Sequence, residues 1–261
     1  MRANIESPNI GSRSWHLTQT LDVSNPITMK PARLLDRYFY FFMSLLIAAT
    51  VMYGFSQTVE QRLIHAVPSR PFLLYVHGVI FSGWVAFFFF QSLLIRTHNV
   101  RLHRTMGWLG VALGSAVFVI GIWTAIVMSR FRILHFQGRG AVQNLGLSFY
   151  DIGAFGVAFA LAMVWRKRPE YHRRLILVAT CALTSAAFGR FPAHLMPQHW
   201  FFIGVDLLVV LGVVRDLIVI RRIHRVYLIA LPAFVLSQCA VMYVLLSQPP
   251  YWTKIANAIL R

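Results

Sequence analysis

Acidic residues are scarce in this chain. Eight Asp and Glu stand against 25 Lys and Arg in 261 residues, and charged residues of both signs make up only 13%, about half the share found in soluble domains. That shortage excludes an ordinary soluble globular class. Cysteine is almost missing as well: Cys181 and Cys239 both fall inside apolar runs, which excludes an exported disulfide framework. CxxC and CxxCH do not occur. Also missing are a Ser nucleophile elbow, HExxH and the HxxHH elements of membrane di-iron desaturases, so no motif-defined enzyme class has support and enzymatic status stays open. The first 37 residues lack an apolar core followed by a small-residue cleavage site, so 1–37 reads as a retained, flexible, cytoplasmic polar tail.

What the chain does hold is apolar. Hydrophobic residues reach 57% and come in blocks of about twenty, the length a helix needs to cross ~30 Å of hydrocarbon. The runs are Tyr38 to Phe55, Phe72 to Ile95, Met106 to Met128, Leu145 to Trp165, Leu175 to Phe191, Trp200 to Ile220 and Val226 to Leu246. They predict an all-α, polytopic transmembrane bundle of seven spans over 38–261. The fifth run is short and the sixth contains Asp206, Arg215 and Asp216, which makes these two the weakest.

The net charge of +17 does not imply a nucleic-acid partner, because the basic residues sit between the apolar runs and are not interleaved with aromatics on one surface. They report topology instead. With the N-terminus inside, 17 Lys and Arg fall on the inner side and eight outside: Arg62, Arg70, Arg130, Arg132, Arg139, Arg190, Lys254 and Arg261. The bias predicts N-in, C-out, with the lipid bilayer as the first partner. Three arginines of "SRFRILHFQGRG" sit on the wrong side of that rule. Trp165, Trp200 and Trp252 fall near run boundaries, and "PPYWTKIANAILR" offers a short amphipathic stretch for the outer surface.

Polar residues within this frame sort into two depths. Toward the outside lie His77, Asp151, Arg190, Asp206, His194 and His199; toward the inside lie His98, His103, His172, Asp216 and His224. Asp151 and Asp206 need a partner inside the bundle, and Arg190 is the cation at their depth. Structural ion pairing weighs at least as much as function for this cluster. On the second run His77, Phe81, Trp84, Phe88 and Gln91 recur at helical steps and share one face.

"HNVRLH" invites a metal reading, but His98 and His103 are five apart, about 140° around a helix. It reads first as a turn between spans. His103, by contrast, continues onto Gly107, Gly110 and Gly114, so its imidazole would stand above a flat glycine face able to take a planar macrocycle. His172 lies at the same depth and could supply a second axial imidazole to haem b, with Arg104 near the propionates. An outer counterpart would use His77 with His194 or His199. The competing expectation is that His103 and His172 are interface residues in basic loops. Small residues also recur along the fourth run at Gly146, Gly153 and Ala160, a pattern of close helix packing.

The segments "HGVIFSGWVAFFFFQSLLIRTHNVRLHRTMGWLG", "RPEYHRRLILVATCALTSAAFGRFP" and "VVRDLIVIRRIHRVY" together resemble an uncharacterised family of seven-helix bacterial inner-membrane proteins, from about residue 38 to the C-terminus. The resemblance implies that His77, Trp84, Gln91, His103, Arg104, His172, Arg190 and Asp216 are family-type positions; it brings no activity with it. A more distant likeness is to the ascorbate-reducible b-type diheme cytochromes, which place histidines on four successive helices. Here the fourth run, "LGLSFYDIGAFGVAFALAMVW", has none, which leaves an outer haem short of an axial ligand.

Three functional expectations follow. The chain is a haem-linked electron carrier exchanging electrons with a quinone or a membrane protein partner. Alternatively, it is a proton-linked transporter or sensor built on the outer His/Asp/Arg cluster, although no inverted repeat is visible. Or it is a non-catalytic assembly partner that docks through its glycine faces and basic loops.

Overall fold

A computed structural model describes residues 31–137 and 140–261. Most of the tail expected over 1–37 lies outside them, but its last part does not. Helix α1 runs over Pro31–Ser56, so the first helix begins before Tyr38. Its opening turns carry Asp36 and Arg37, which the sequence alone assigns to a tail; Asp36 stays exposed at the rim of the bundle, where two arginines meet it, as described below. A π-helical turn over Glu60–Ile64 leads to α2 (Phe72–Arg96), followed by α3 (Val100–His135), α4 (Ala141–Val164), α5 (Pro169–Ala182), α6 (Ser185–Phe188), α7 (Phe201–Ile220), α8 (Arg225–Ser247) and α9 (Pro250–Leu260). Among the described residues there is no strand.

Five helices have the length and apolarity to cross a membrane: α1 from Leu34, α2, α3, α4 and α8. Helix α7 is 20 residues long but carries Asp206, Arg215 and Asp216. Helix α5 is only 14 residues. Between α5 and the four-residue α6 the helix breaks at Leu183 and Thr184, where the Thr184 hydroxyl donates to the Cys181 carbonyl (2.6 Å).

The surface is inverted relative to a soluble protein. Met52, Val79, Ile229 and Leu236 are all more than 70% exposed, whereas Arg174 and Asp216 are fully buried. Apolar outside and charged inside is the arrangement a bilayer selects. At the centre stands α5, in which every residue from Arg174 to Ala182 except Ile176 is buried. That placement explains its weak hydropathy. A helix surrounded by protein needs small residues for close contact, here Ala179, Thr180, Cys181 and Ala182, and has no lipid to face. Around it pack Phe155, Val209 and Ile47, each essentially inaccessible.

The opening turn of "HNVRLH" is resolved locally. His98 adopts a left-handed φ of 61°, which ends α2, and the Asn99 side chain accepts from Leu102 N (3.3 Å) to cap α3. His103 therefore sits on the first turn of α3. That helix continues to His135, so the first part of "SRFRILHFQGRG" is helix; Gly138 and Arg139 lie outside the described residues.

Contacts sort the helix ends into two groups. At the near end, where α1 begins, Arg96 bonds the Tyr38 hydroxyl, Arg37 approaches His98 (3.4 Å), Arg166 lies over Trp108 (5.7 Å) and Tyr171 meets His224 edge-on (4.7 Å). At the far end, Arg190 lies over Phe55 (4.3 Å) and Arg70 over Phe131 (5.2 Å). The amphipathic α9 also packs there. Its Ala256 and Leu260 are buried with Ala125 and Leu145 of α3 and α4, and Trp252 donates to the Val142 carbonyl (3.3 Å). The apolar face expected to rest on the outer surface is covered by the bundle itself.

Candidate functional site

The near end holds a buried ion network. Arg174 donates through Nε and Nη2 to Asp216 (2.9 and 2.7 Å), a two-pronged pair with both side chains inaccessible. Arg215, 1% exposed, donates to the same Asp216 (2.7 Å) and also pairs with Asp36 of α1. Arg174 further binds Glu170 (2.6 Å), which also takes Arg173 (2.7 Å). Three arginines thus meet three carboxylates from α1, α5 and α7. Tyr40 of α1 lies beneath Arg173 and Arg215 (5.4 and 5.7 Å).

Sequence reading missed this network except for Asp216. The available signal was the adjacent Arg215 and Asp216 within an apolar run, since a charge at that depth demands a partner. Partial burial pushes the Glu170 carboxyl up, but the Arg174 hydrogen bond and the charges of Arg173 and Arg174 outweigh it, so its pKa lies below the ordinary glutamate value. Burial, then the nearby Arg174 charge, lowers the pKa of His224.

Beside the network lies the expected imidazole pair. His172 and His103, from α5 and α3, are within electrostatic reach of each other, and His103 also approaches the backbone of Gln91. The Nδ1 of His172 faces the Ala162 carbonyl at 3.0 Å. A carbonyl can only accept, so Nδ1 carries the proton and Nε2 presents its lone pair. His103 Nδ1 is buried without a partner, as are both polar atoms of the Gln91 side chain. Arg104 is exposed at the same end. Trp84, Phe88 and Gln91 are the buried residues of α2, and Trp84 donates to the Thr180 hydroxyl (3.3 Å).

The glycine face is not flat. A Cβ at Gly110 would strike the Phe87 ring, at Gly114 the Phe159 ring and at Gly121 the Ile152 side chain, whereas Gly107 has nothing within 4 Å. Neighbouring rings fill the stripe because α2 and α4 pack on either side of α3, and a ring seats where no Cβ stands. The expected macrocycle surface is therefore corrected to the open end near Gly107. The fourth-helix stripe is also corrected: Gly146 meets Trp252, Gly153 has open space, and Gly156, outside the stripe, receives Phe118.

At the far end the expected carboxylate–arginine cluster does not assemble. Asp151 takes a hydrogen bond from Ser185, and Asp206 takes one from Gln238 (2.9 Å). Among the described residues Arg190 makes no ion pair; it lies over Phe55 and donates to the Ala186 carbonyl. Asp151 and Asp206 stand on α4 and α7 and Arg190 in the turn after α6, and the way each segment faces, which composition does not encode, points them to neutral partners. One oxygen of Asp151 and Nδ1 of His77 are buried and unpartnered. His77 stacks on Phe81 (3.9 Å), while His194 and His199 are exposed in the loop before α7. Among the described residues no three His, Cys, Asp or Glu gather as a metal cluster.

No protein-family model, curated protein or solved structure matches this chain. Its functional reading rests on the geometry above.

Proposed function

We propose that the chain is a seven-span, N-in/C-out protein of the bacterial cytoplasmic membrane that holds one b-type haem at its near end through His103 and His172. The observation that carries the reading is the pair of imidazoles from separate helices. His172 is fixed by its Nδ1 to a main-chain carbonyl, which turns the ligating nitrogen outward, the usual support for an axial histidine. His103 has a buried ring nitrogen without a partner. Space beside Gly107 and the exposed Arg104 would serve the macrocycle and its propionates. Bound haem supplies one-electron chemistry, exchanged with a quinone or a membrane partner. The chain's own residues orient the imidazoles and keep water from that end.

Support for the topology comes from the apolar exterior and from the 17 Lys and Arg assigned to the inner side. Single-cysteine labelling should place the 96–104 and 166–174 turns on one face of the membrane. For the haem, the test is an absorption spectrum of the solubilised protein before and after dithionite. A Soret band that sharpens on reduction and disappears in both His103→Ala and His172→Ala supports the proposal. Protein without a Soret band and without stoichiometric iron overturns it.

A second reading, a proton-linked carrier or sensor, is favoured by the unpartnered buried atoms of His77 and Asp151. It expects Asp151→Asn to abolish proton-coupled uptake or response while the protein still inserts at normal levels. If Asp151→Asn only lowers expression, the aspartate is structural.

A further inference from the structure

All six carboxylates of the described residues have partners other than the far-end arginines. Asp36, Glu170 and Asp216 belong to the near-end network, Asp151 meets Ser185, Asp206 meets Gln238, and Glu60 faces His65 at 4.0 Å. Yet four arginines converge at the far end. Arg70 donates through Nε to the Arg62 carbonyl (3.3 Å), and its guanidinium lies over Phe131 (5.2 Å) and Phe136 (5.3 Å) at the end of α3. Arg132 stands on that same turn, within electrostatic reach of Arg62 and Arg70. Arg190 is held over Phe55 near the end of α1, the helix that leads into the turn carrying Arg62, and its Nε is buried without an acceptor.

Rings and main-chain carbonyls hold the guanidinium groups of Arg70 and Arg190, and among the described residues none of the four pairs with a carboxylate. Like charges so gathered repel one another, and nothing in the packing requires them. In the proposed topology they also lie on the side where Lys and Arg oppose insertion. An arginine cluster assembled against both costs has the chemistry of an anion receptor, because the planar guanidinium fork matches phosphate oxygens two at a time.

We propose that Arg62, Arg70, Arg132 and Arg190 form a receptor for a phosphate-bearing anion at the far end of the bundle. The phosphate comes either from solution or from the headgroup of an anionic lipid. The test follows thermal unfolding of the full chain in neutral detergent as inorganic phosphate or phosphatidylglycerol is added, with phosphatidylcholine as the uncharged control. A free-anion receptor is stabilised by inorganic phosphate; a lipid receptor responds to phosphatidylglycerol alone.

In either case Arg62→Gln/Arg132→Gln should bind about tenfold or more weakly, since each arginine removed takes a charge-assisted hydrogen bond with it. Arg221→Gln/Arg222→Gln, which removes the same charge from the opposite end, should bind normally. Arg62 is exposed, so Arg62→Gln alone serves as the readout if the double variant does not fold. The proposal falls if neither probe stabilises the wild type, if the far-end variants respond like the wild type, or if the opposite-end control loses as much.

Discussion

The two ends of this bundle use arginine in opposite ways. At the near end Arg173, Arg174 and Arg215 meet Asp36, Glu170 and Asp216, and the whole network sits across three helices. At the far end Arg70 and Arg190 rest on aromatic rings and bond main-chain oxygens, and among the described residues neither they nor Arg62 and Arg132 pair with a carboxylate. The same side chain is a lock where its charge is matched and buried, and a receptor where its charge is held out unmatched. Arginine content alone therefore says little; the carboxylates decide.

The comparison breaks most sharply at Asp216. Asp216→Ala leaves two buried guanidinium groups short of their shared acceptor and should cost about 3–5 kcal/mol, measured as unfolding in detergent. Arg174→Met/Asp216→Leu removes a whole pair and should cost less than the single change. If the single variant is the more stable of the two, the network is not a lock.

Acid should act next, at the near end. The His224 pKa is lowered in the folded chain, so stability declines as pH falls below the unfolded histidine value of about 6.5. The Glu170 pKa is also lowered; its contribution is complete above the unfolded glutamate value of about 4.3 and disappears as pH drops through the folded value. Unfolding temperature recorded against pH should lose its upper phase in His224→Gln and its lower phase in Glu170→Gln.

The smallest effect belongs to the far end. Arg62→Gln should change stability by no more than about 0.5 kcal/mol without phosphate, and in the stabilising direction, since it relieves repulsion. Added sodium chloride should raise the wild-type unfolding temperature more than that of the variant, because salt screens exposed like charges and leaves the buried pair nearly untouched. A variant destabilised by several kcal/mol would show that the far-end arginines are also locked.

Helices were the most legible part of the sequence. Each apolar run is helical, although the fifth is broken into α5 and α6, and the Trp84–Phe88–Gln91 face of α2 is buried as its spacing implies. The ends were less legible. Asp36 reads as tail until Arg173 and Arg215 meet it at the rim, and α3 extends past its apolar run because arginines are good helix formers beyond the hydrocarbon. His103 and His172 open α3 and α5 at the same end of the bundle, as their depth implied. Arg190 was not readable as a residue apart from Asp151 and Asp206, because depth in a helix says nothing about which way it faces.

By itself the sequence determined the helical class and the apolar exterior, since each depends only on residue type and spacing along one helix. The tertiary structure alone decided which charges are matched, which glycines are filled by rings and which helix is central. Those outcomes depend on rotation and neighbourhood. Asp216 could face Arg174, or Phe87 cover Gly110, only once separate helices had packed side by side.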